Sequence, residues 1–330
     1  MVGDDGSVTL KSPDGVLGIG EFEPTFEAEL AARYRIPRLP DGPGRADFLA
    51  GRAAGVRVLV TSGRPGVDAE MIAALPGLEA IVNNGAGVDL IDLDAAERLG
   101  VGVSNTPGVL SDTVADTALG LILMAVRRFG AADRYVRGGR WAREGQFPYA
   151  RDVSGLRVGI LGLGRIGSAI ASRLLGFDCA IAYHNRNRIE GSPYRYAESP
   201  VELAESVDVL VVATTGDHEA RHLVDRRVLH ALGPEGYLIN IARGSVVDQD
   251  ALVELVTSGG LAGAGLDVFA DEPRVPTELL GLDNVVLFPH IGSATARTRR
   301  AMAQLAIRNL DSYLQTGQLV TPVLRPRGRR

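Results

Sequence analysis

The sequence predicts an α/β fold: two Rossmann-like or flavodoxin-like parallel-sheet domains joined by two long crossover helices. Three observations predict it. Short apolar runs alternate with stretches of helical spacing, the pattern of βαβ units. The alternation restarts after Gly155. Two helical stretches longer than the rest interrupt it, and helices of that length are suited to crossing between domains. At roughly 150 residues per domain, a chain of 330 residues also has room for two.

Taken in order, Val56 to Val60, Leu78 to Val82 and Val101 to Val103 read as strands. Asp68 to Ala74 and Asp92 to Leu99 read as helices between them. Ser111-Asp112 is a good helix start, with an N-cap hydroxyl and an acid in the first turn, and the helix is expected to run to about Phe129. The second unit begins with strand Arg157 to Leu161, helix Ser168 to Leu175 and strand Cys179 to Tyr183. Strands follow at Val209 to Ala213, Tyr237 to Ile241, Ala264 to Val268 and Val285 to Phe288. A long helix is expected from about Ala294 to Gln315, ending at Gly317. Hinges are placed near Asn105-Thr106-Pro107 and Gly292-Ser293. The expected domains are 1–107 with 293–330, binding substrate, and 108–292, binding a dinucleotide.

Composition narrows the function classes. With 45% hydrophobic and 23% charged residues, the chain reads as an ordinary globular protein. A net charge of -5 gives no electrostatic case for nucleic acid or an anionic membrane. The one cysteine, Cys179, allows no internal disulfide and fits a reducing compartment. The start, MVGDDGSVTL, has no apolar h-region, so no signal peptide is expected and the cytoplasm is the default. The longest apolar run, Ala118 to Val126, is too short to span a bilayer. The basic end, Arg325 to Arg330, is expected to be a frayed, solvated tail. No metal site is expected.

The strongest motif is Gly162-Leu163-Gly164-Arg165-Ile166-Gly167. It follows a strand and opens a helix, the context a dinucleotide-binding turn requires. Gly162 permits the tight turn, Gly164 lets the backbone approach a pyrophosphate, and Gly167 lets helix and strand pack closely. The helix N-terminus supplies free N–H groups and a positive dipole end. An acid about 20 residues on would select NAD. Here the strand runs instead into His184-Asn185-Arg186. Asn185 can donate hydrogen bonds, and the Arg186 fork suits a phosphate. NADP(H) is therefore favoured over NAD(H), which stays possible.

Three polar groups follow strands in the second unit: Arg243 after YLINIA, Asp267 within GAGLDVF with Glu272 beyond it, and His290 after NVVLFP. In an open parallel sheet the ligand crevice lies at the carboxyl ends of the strands. His290 can protonate a developing alkoxide, with Glu272 as the carboxylate that sustains its charge. Arg243 can hold a substrate carboxylate or carbonyl. Asp267 can accept from a nicotinamide carboxamide. An isolated arginine or histidine at a strand end is as readily structural. Four such groups on successive strand ends beside a dinucleotide turn point to carbonyl reduction. In the first unit, Asn83 to Asp89 follows a strand with small residues. The backbone of Ala86, Gly87 and Val88 can cradle the substrate carboxylate from the side opposite Arg243, while Asp89 can cap the next helix.

These residues resemble the D-isomer-specific 2-hydroxyacid dehydrogenase family. The likeness runs from Val60 to about Pro322. It rests on NNGAGVD at 83–89, SNTPGVLSDTVADTALGLIL at 104–123, GLGRIG, NIARGSVVD at 240–248, AGLDVFADEP at 264–273 and PHIGSAT at 289–295. The branch most resembled is that of glyoxylate/hydroxypyruvate and hydroxyphenylpyruvate reductases, which tend to use NADPH. The resemblance implies a catalytic trio of Arg243, Glu272 and His290. It implies cofactor contacts at Arg165, Ile166, Thr214, Thr215, Ile241, Ala242, Asp267 and Ser293, with Val114 near the nicotinamide. It also implies domain closure on the substrate and a homodimer with Arg137 to Trp141 near its interface. One departure is Thr214-Thr215-Gly216-Asp217, where the family often has a proline-containing turn. The expected reaction is NADPH-dependent reduction of a small 2-oxoacid to the D-2-hydroxyacid. The alternatives are an NAD-linked dehydrogenase of another substrate and a dinucleotide-sensing, corepressor-like binding protein.

Overall fold

A computed structural model describes residues 13–42, 44–62, 66–216 and 218–327. Residues 1–12, which include the MVGDDGSVTL start, lie outside them, as do Pro43, 63–65, Asp217 and Gly328 to Arg330. The chain divides into two compact units, Met1–Leu110 with Ala294–Arg330, and Ser111–Ser293.

In the first unit, β1 (Val16–Ile19), β2 (Val58–Thr61), β3 (Ala80–Asn83) and β4 (Gly102–Ser104) pair in parallel in that order. A C-terminal strand, Pro322–Leu324, joins β4 antiparallel and completes a five-stranded sheet. The continuous apolar runs are buried on both faces, as parallel sheets require. The side-chain period of two divides them. Leu17, Leu59, Ile81 and Val103 pack with Met71, Ile72, Ala95 and Ala96 on one face. Val16, Val58, Val60, Ala80 and Val82 pack on the other with Ala303, Ala306, Ile307, Leu310 and Tyr313. Those last five belong to helix Ala296–Thr316, which Thr295 caps at its start and a left-handed Gly317 ends.

In the second unit, β5 (Arg157–Leu161), β6 (Ala180–His184), β7 (Arg195–Tyr196), β8 (Val209–Val212), β9 (Tyr237–Asn240), β10 (Gly263–Leu266) and β11 (Val285–Leu287) form one sheet. The order is β11-β10-β9-β8-β5-β6-β7, and every pair is parallel. The reversal of direction lies at β5, flanked by β6 and β8. Helix Ser111–Val126 buries Val114, Ala118, Leu121, Ile122 and Ala125. Gly265 in β10 gives Leu121 its place, since a Cβ there would lie 3.0 Å from that of Leu121.

Four expectations need correction. The helix from Ser111 stops at Val126, because Arg128 adopts a left-handed conformation (φ 55°) and a separate helix, Phe129–Arg137, begins. Asp89 is not the cap of the following helix, Leu93–Leu99; that role falls to Asp92, whose Oδ1 accepts from the Ala95 amide at 2.8 Å. The basic end is not frayed up to Arg327. Its strand pairs with β4, and the Arg327 amide donates to the Gly100 carbonyl at 3.0 Å. Finally, β1, β7 and the C-terminal strand went unread, each being four residues or fewer and lacking a sustained apolar run.

Asp208, at the start of β8, ties β5 into the second sheet. Its Oδ2 accepts from the Arg157 amide at 2.8 Å, and its Oδ1 meets Arg151 and Arg157, each at 2.8 Å. The Arg157 guanidinium foremost holds the Asp208 carboxyl well below the usual carboxylate range. A carboxyl whose pKa falls on folding stabilises the fold above its unfolded value near 4, and that stability is lost as the pH drops below it. Asp208→Asn should therefore cost about 2 kcal/mol at pH 7. In urea unfolding, the gap to the wild type should close as the pH falls below about 4.

Candidate active site

The glycine run connects β5 to helix Arg165–Leu174. Its three glycines meet different surroundings. Gly162 has φ 101°, and a Cβ there would lie 2.6 Å from the Thr214 amide nitrogen. At Gly167 a Cβ would lie 2.2 Å from the Gly162 carbonyl oxygen. Both are closed by the protein's own backbone. Gly164, the N-cap, has nothing within 4 Å of its ideal Cβ position. The open glycine is the one at the helix N-terminus, beside exposed Arg165 and half-buried Ile166. An anion can approach that backbone directly, so the residues fit a pyrophosphate.

The end of β6 holds this turn in place. The Gly162 amide donates to the His184 carbonyl at 3.0 Å, and the Leu163 amide donates to Asn185 Oδ1 at 2.7 Å. His184 Nδ1 lies 2.8 Å from the Ala197 carbonyl, which makes it the protonated ring nitrogen. Its ring stacks on that of Tyr196, whose hydroxyl donates to the Asn185 carbonyl. His184 Nδ1 and the Asn185 oxygen thus hold the turn itself, and the Asn185 amide nitrogen and Arg186 are the groups beyond them. Arg186 is exposed, and its Nη1 lies 2.6 Å from Glu219 Oε2. Sequence reasoning missed Glu219, because nothing local to it marks a partner 33 residues away.

The strand-end groups also lie within the second unit. His290 Nδ1 is 2.9 Å from Glu272 Oε2; His290 is 46% exposed and Glu272 17%. The other Glu272 oxygen accepts from the Phe269 amide at 3.1 Å, which fixes the carboxylate's orientation. His290 itself has φ 54°, an uncommon conformation for a residue with a Cβ. Asp267 explains how the turn is held. Only 2% exposed, its Oδ1 accepts from the Ile291 amide at 2.7 Å and its Oδ2 from the Gly292 amide at 2.8 Å. Burial pushes its carboxyl above the ordinary value, against the pull of those two amides. Both oxygens of Asp267, the group expected to accept from a carboxamide, thus also serve the turn behind His290. Val114 lies beside Gly292, 3.5 Å from that residue's ideal Cβ position, and Ser293 follows half-buried.

Arg243 follows β9 and the buried pair Ile241-Ala242. Its Nη1 donates to the Ala242 carbonyl at 2.7 Å. Its stem runs where a Gly216 Cβ would sit, 2.4 Å from the Arg243 Cγ. Gly216, in the Thr214-Thr215-Gly216 turn, therefore gives Arg243 room. Gly244 is more constrained still: a Cβ would fall 1.9 Å from the Phe269 carbonyl carbon. The β9 and β10 loops cross there, which brings the Arg243 and Glu272 segments together. No sequence signal showed either clearance.

The first unit carries Ala86, Gly87 and Val88, all half-buried, in the loop after β3. Among the described residues, no helix is long and apolar enough to cross a membrane.

Comparison with known proteins gives these sites a context. Residues 119–292 match the family model described as D-isomer specific 2-hydroxyacid dehydrogenase, NAD binding domain. A hydroxyphenylpyruvate reductase of Plectranthus scutellarioides is 47% identical over 310 residues, covering 94% of this chain and 99% of that protein. A glyoxylate/hydroxypyruvate reductase of Arabidopsis thaliana is 44% identical with the same coverage. Among solved structures, the NADPH-dependent glyoxylate/hydroxypyruvate reductase of Sinorhizobium meliloti, in complex with NADP and malonate, superposes with a TM-score of 0.88. It is 41% identical and covers 96% of this chain and 99% of its own. With one fold, 41–47% identity and near-complete coverage in common with these proteins, the chain belongs to the D-isomer-specific 2-hydroxyacid dehydrogenase family.

Proposed function

We propose that this protein is an NADPH-dependent reductase of small 2-oxoacids of the glyoxylate or hydroxypyruvate type, forming the D-2-hydroxyacid. The observation that carries the chemistry is the His290–Glu272 pair, 2.9 Å apart at a strand end of the dinucleotide-binding unit. The observation that carries the cofactor choice is Arg186, standing where an acid would select NAD.

The roles follow from the geometry. When bound, the nicotinamide supplies the hydride. His290 Nδ1–H is engaged by the Glu272 carboxylate, so Nε2 is the ring nitrogen left to protonate the substrate oxygen. Glu272, itself fixed by the Phe269 amide, sets the orientation of the ring for that donation. Asp267 holds the turn behind the ring. Arg243, held at Ala242 and given room by Gly216, offers its remaining donors to the substrate's carboxylate or carbonyl. Ala86, Gly87 and Val88 offer backbone N–H groups to the substrate carboxylate. The turn at Gly164, with Arg165 and Ile166, takes the pyrophosphate. Asn185 and Arg186 take the adenosine 2′-phosphate, while Thr214 and Thr215 lie along the adenine side.

A second reading rests on Glu219. Its carboxylate already occupies the Arg186 fork, so the phosphate must displace it, and a cofactor with a plain ribose leaves that pair undisturbed. NADH use alongside NADPH is the form this reading takes. We also propose a cytoplasmic homodimer. Val136 and Trp141, 54% and 63% exposed, support an interface along 137–141, and the buried free thiol of Cys179 fits a reducing compartment.

Turnover tests the function. Purified protein with NADPH should reduce glyoxylate, hydroxypyruvate or phenylpyruvate; oxidation of NADPH with none of them would leave a binding protein instead. His290→Ala should lower kcat/KM roughly 10²–10⁴-fold, and an unchanged rate rejects His290 as the proton donor. Arg186→Asp should weaken NADPH about tenfold or more while sparing NADH, read as the ratio of the two KM values. Gly164→Ala should fold with an unchanged melting temperature yet bind NADPH about tenfold more weakly, since its Cβ enters only the space kept for the cofactor. Calorimetry of the variant separates the two effects.

A further inference from the structure

The loop after β3 is shaped by two asparagines that the reaction itself does not use. The Asn83 side-chain amide donates to the Gly87 carbonyl at 2.8 Å and to the Gly85 carbonyl at 3.3 Å. The Asn105 side-chain amide donates to the Ala86 carbonyl at 2.6 Å. The Thr106 backbone amide adds a bond to the Gly85 carbonyl at 2.9 Å. Three successive carbonyls are thereby pinned by groups on β3 and on the segment after β4. Gly85 permits this, because a Cβ there would press to 3.3 Å from the Asn83 amide nitrogen.

Peptide planarity turns that pinning into a direction. In a trans peptide, the C=O of one residue and the N–H of the next point opposite ways. Holding the carbonyls of Gly85, Ala86 and Gly87 therefore holds the amides of Ala86, Gly87 and Val88 facing away from the asparagines. Those three N–H groups find no acceptor among the described residues. Successive backbone amides with a common aspect bind anions. Two further polar atoms at these strand ends, Asn84 Oδ1 and Thr106 Oγ1, are buried without a partner among the described residues. The pinning group is itself braced. Thr321 Oγ1 donates to the Asn105 carbonyl at 2.6 Å, and Asn309, fully buried on helix Ala296–Thr316, bonds Thr321 through both its amide atoms.

We propose that Asn83 and Asn105 are positioning residues for the substrate carboxylate: they orient the amides of Ala86, Gly87 and Val88 as one anion cradle. The proposal rests on the reductase reading above. The cradle's residues all belong to the first unit, whereas the cofactor residues belong to the second. Loosening the cradle should thus weaken carboxylates and spare NADPH.

Asn105→Leu keeps the side chain's size and removes the donor without adding charge. With glyoxylate as substrate and oxalate as competitive inhibitor, KM and Ki should both rise roughly tenfold or more. At the same time kcat should stay within about threefold and the NADPH Kd unchanged, a split that a general loss of structure would not give. Asn83→Leu should act the same way, and half-buried Asn105 keeps the test alive if the buried position does not tolerate leucine. Unchanged KM and Ki overturn the proposal. So does a parallel fall in NADPH affinity and melting temperature. A wild type that reduces no 2-oxoacid, or that oxalate fails to inhibit, sinks the underlying functional reading instead.

Discussion

Because β5 through β11 pair only in parallel, the chain must leave every strand of the second sheet at the same edge. The groups assigned to cofactor and substrate follow from that constraint. The glycine run leaves β5, His184 to Arg186 leave β6, Thr214 and Thr215 leave β8, Arg243 leaves β9, Asp267 leaves β10 and His290 leaves β11. A mixed sheet would send some of them to the opposite edge. The Asp208 bridge to Arg157 secures the ladder at the other end of β5. Removing it would loosen the strand that carries the pyrophosphate turn.

Within that edge, backbone clearance decides which side chains meet. Gly244 and Gly216 do for the Arg243–Glu272 neighbourhood what Gly162 and Gly167 do for the dinucleotide turn: each lets main chain or a side-chain stem pass where a Cβ would collide. Gly164 differs in kind, since its clearance faces open space. This separates glycines that serve packing from the one proposed to face a ligand. It also explains why a G-x-G-x-x-G pattern alone is weak evidence, because two of its three glycines answer needs internal to the fold.

The parallel sheets were legible because their strands are continuous apolar runs bounded by turns, as in Val58 to Thr61 and Val209 to Val212. The pairing of His290 with Glu272 was legible because both lie in segments that follow such runs. What stayed hidden depends on contacts far apart in sequence. Glu219 meets Arg186 from 33 residues away, and Gly244 matters because of Phe269. Asp267 could be seen as a polar group in a strand end, but not that the amides of Ile291 and Gly292 donate to it. The break at Arg128 was invisible for another reason. Arginine is a good helix former, so nothing at that position announces a left-handed residue.

The two anion sites proposed for this chain rest on different backbone devices. At Gly164 the free amides are those that any helix start leaves unpaired, so a helix and an absent Cβ suffice. At Ala86 to Val88 the loop has no helix to align its amides, and left alone its peptides could face either way. Side-chain donors must then hold the carbonyls on one side, and an amide such as asparagine's does this without bringing charge near the bound anion, its two N–H groups letting Asn83 reach two carbonyls. An aspartate at position 83 or 105 would repel both the carbonyls and the ligand, and a lysine would compete with the cradle for the carboxylate. On this reasoning the residue type at 83 and 105 follows from the device, as glycine at 164 follows from the other.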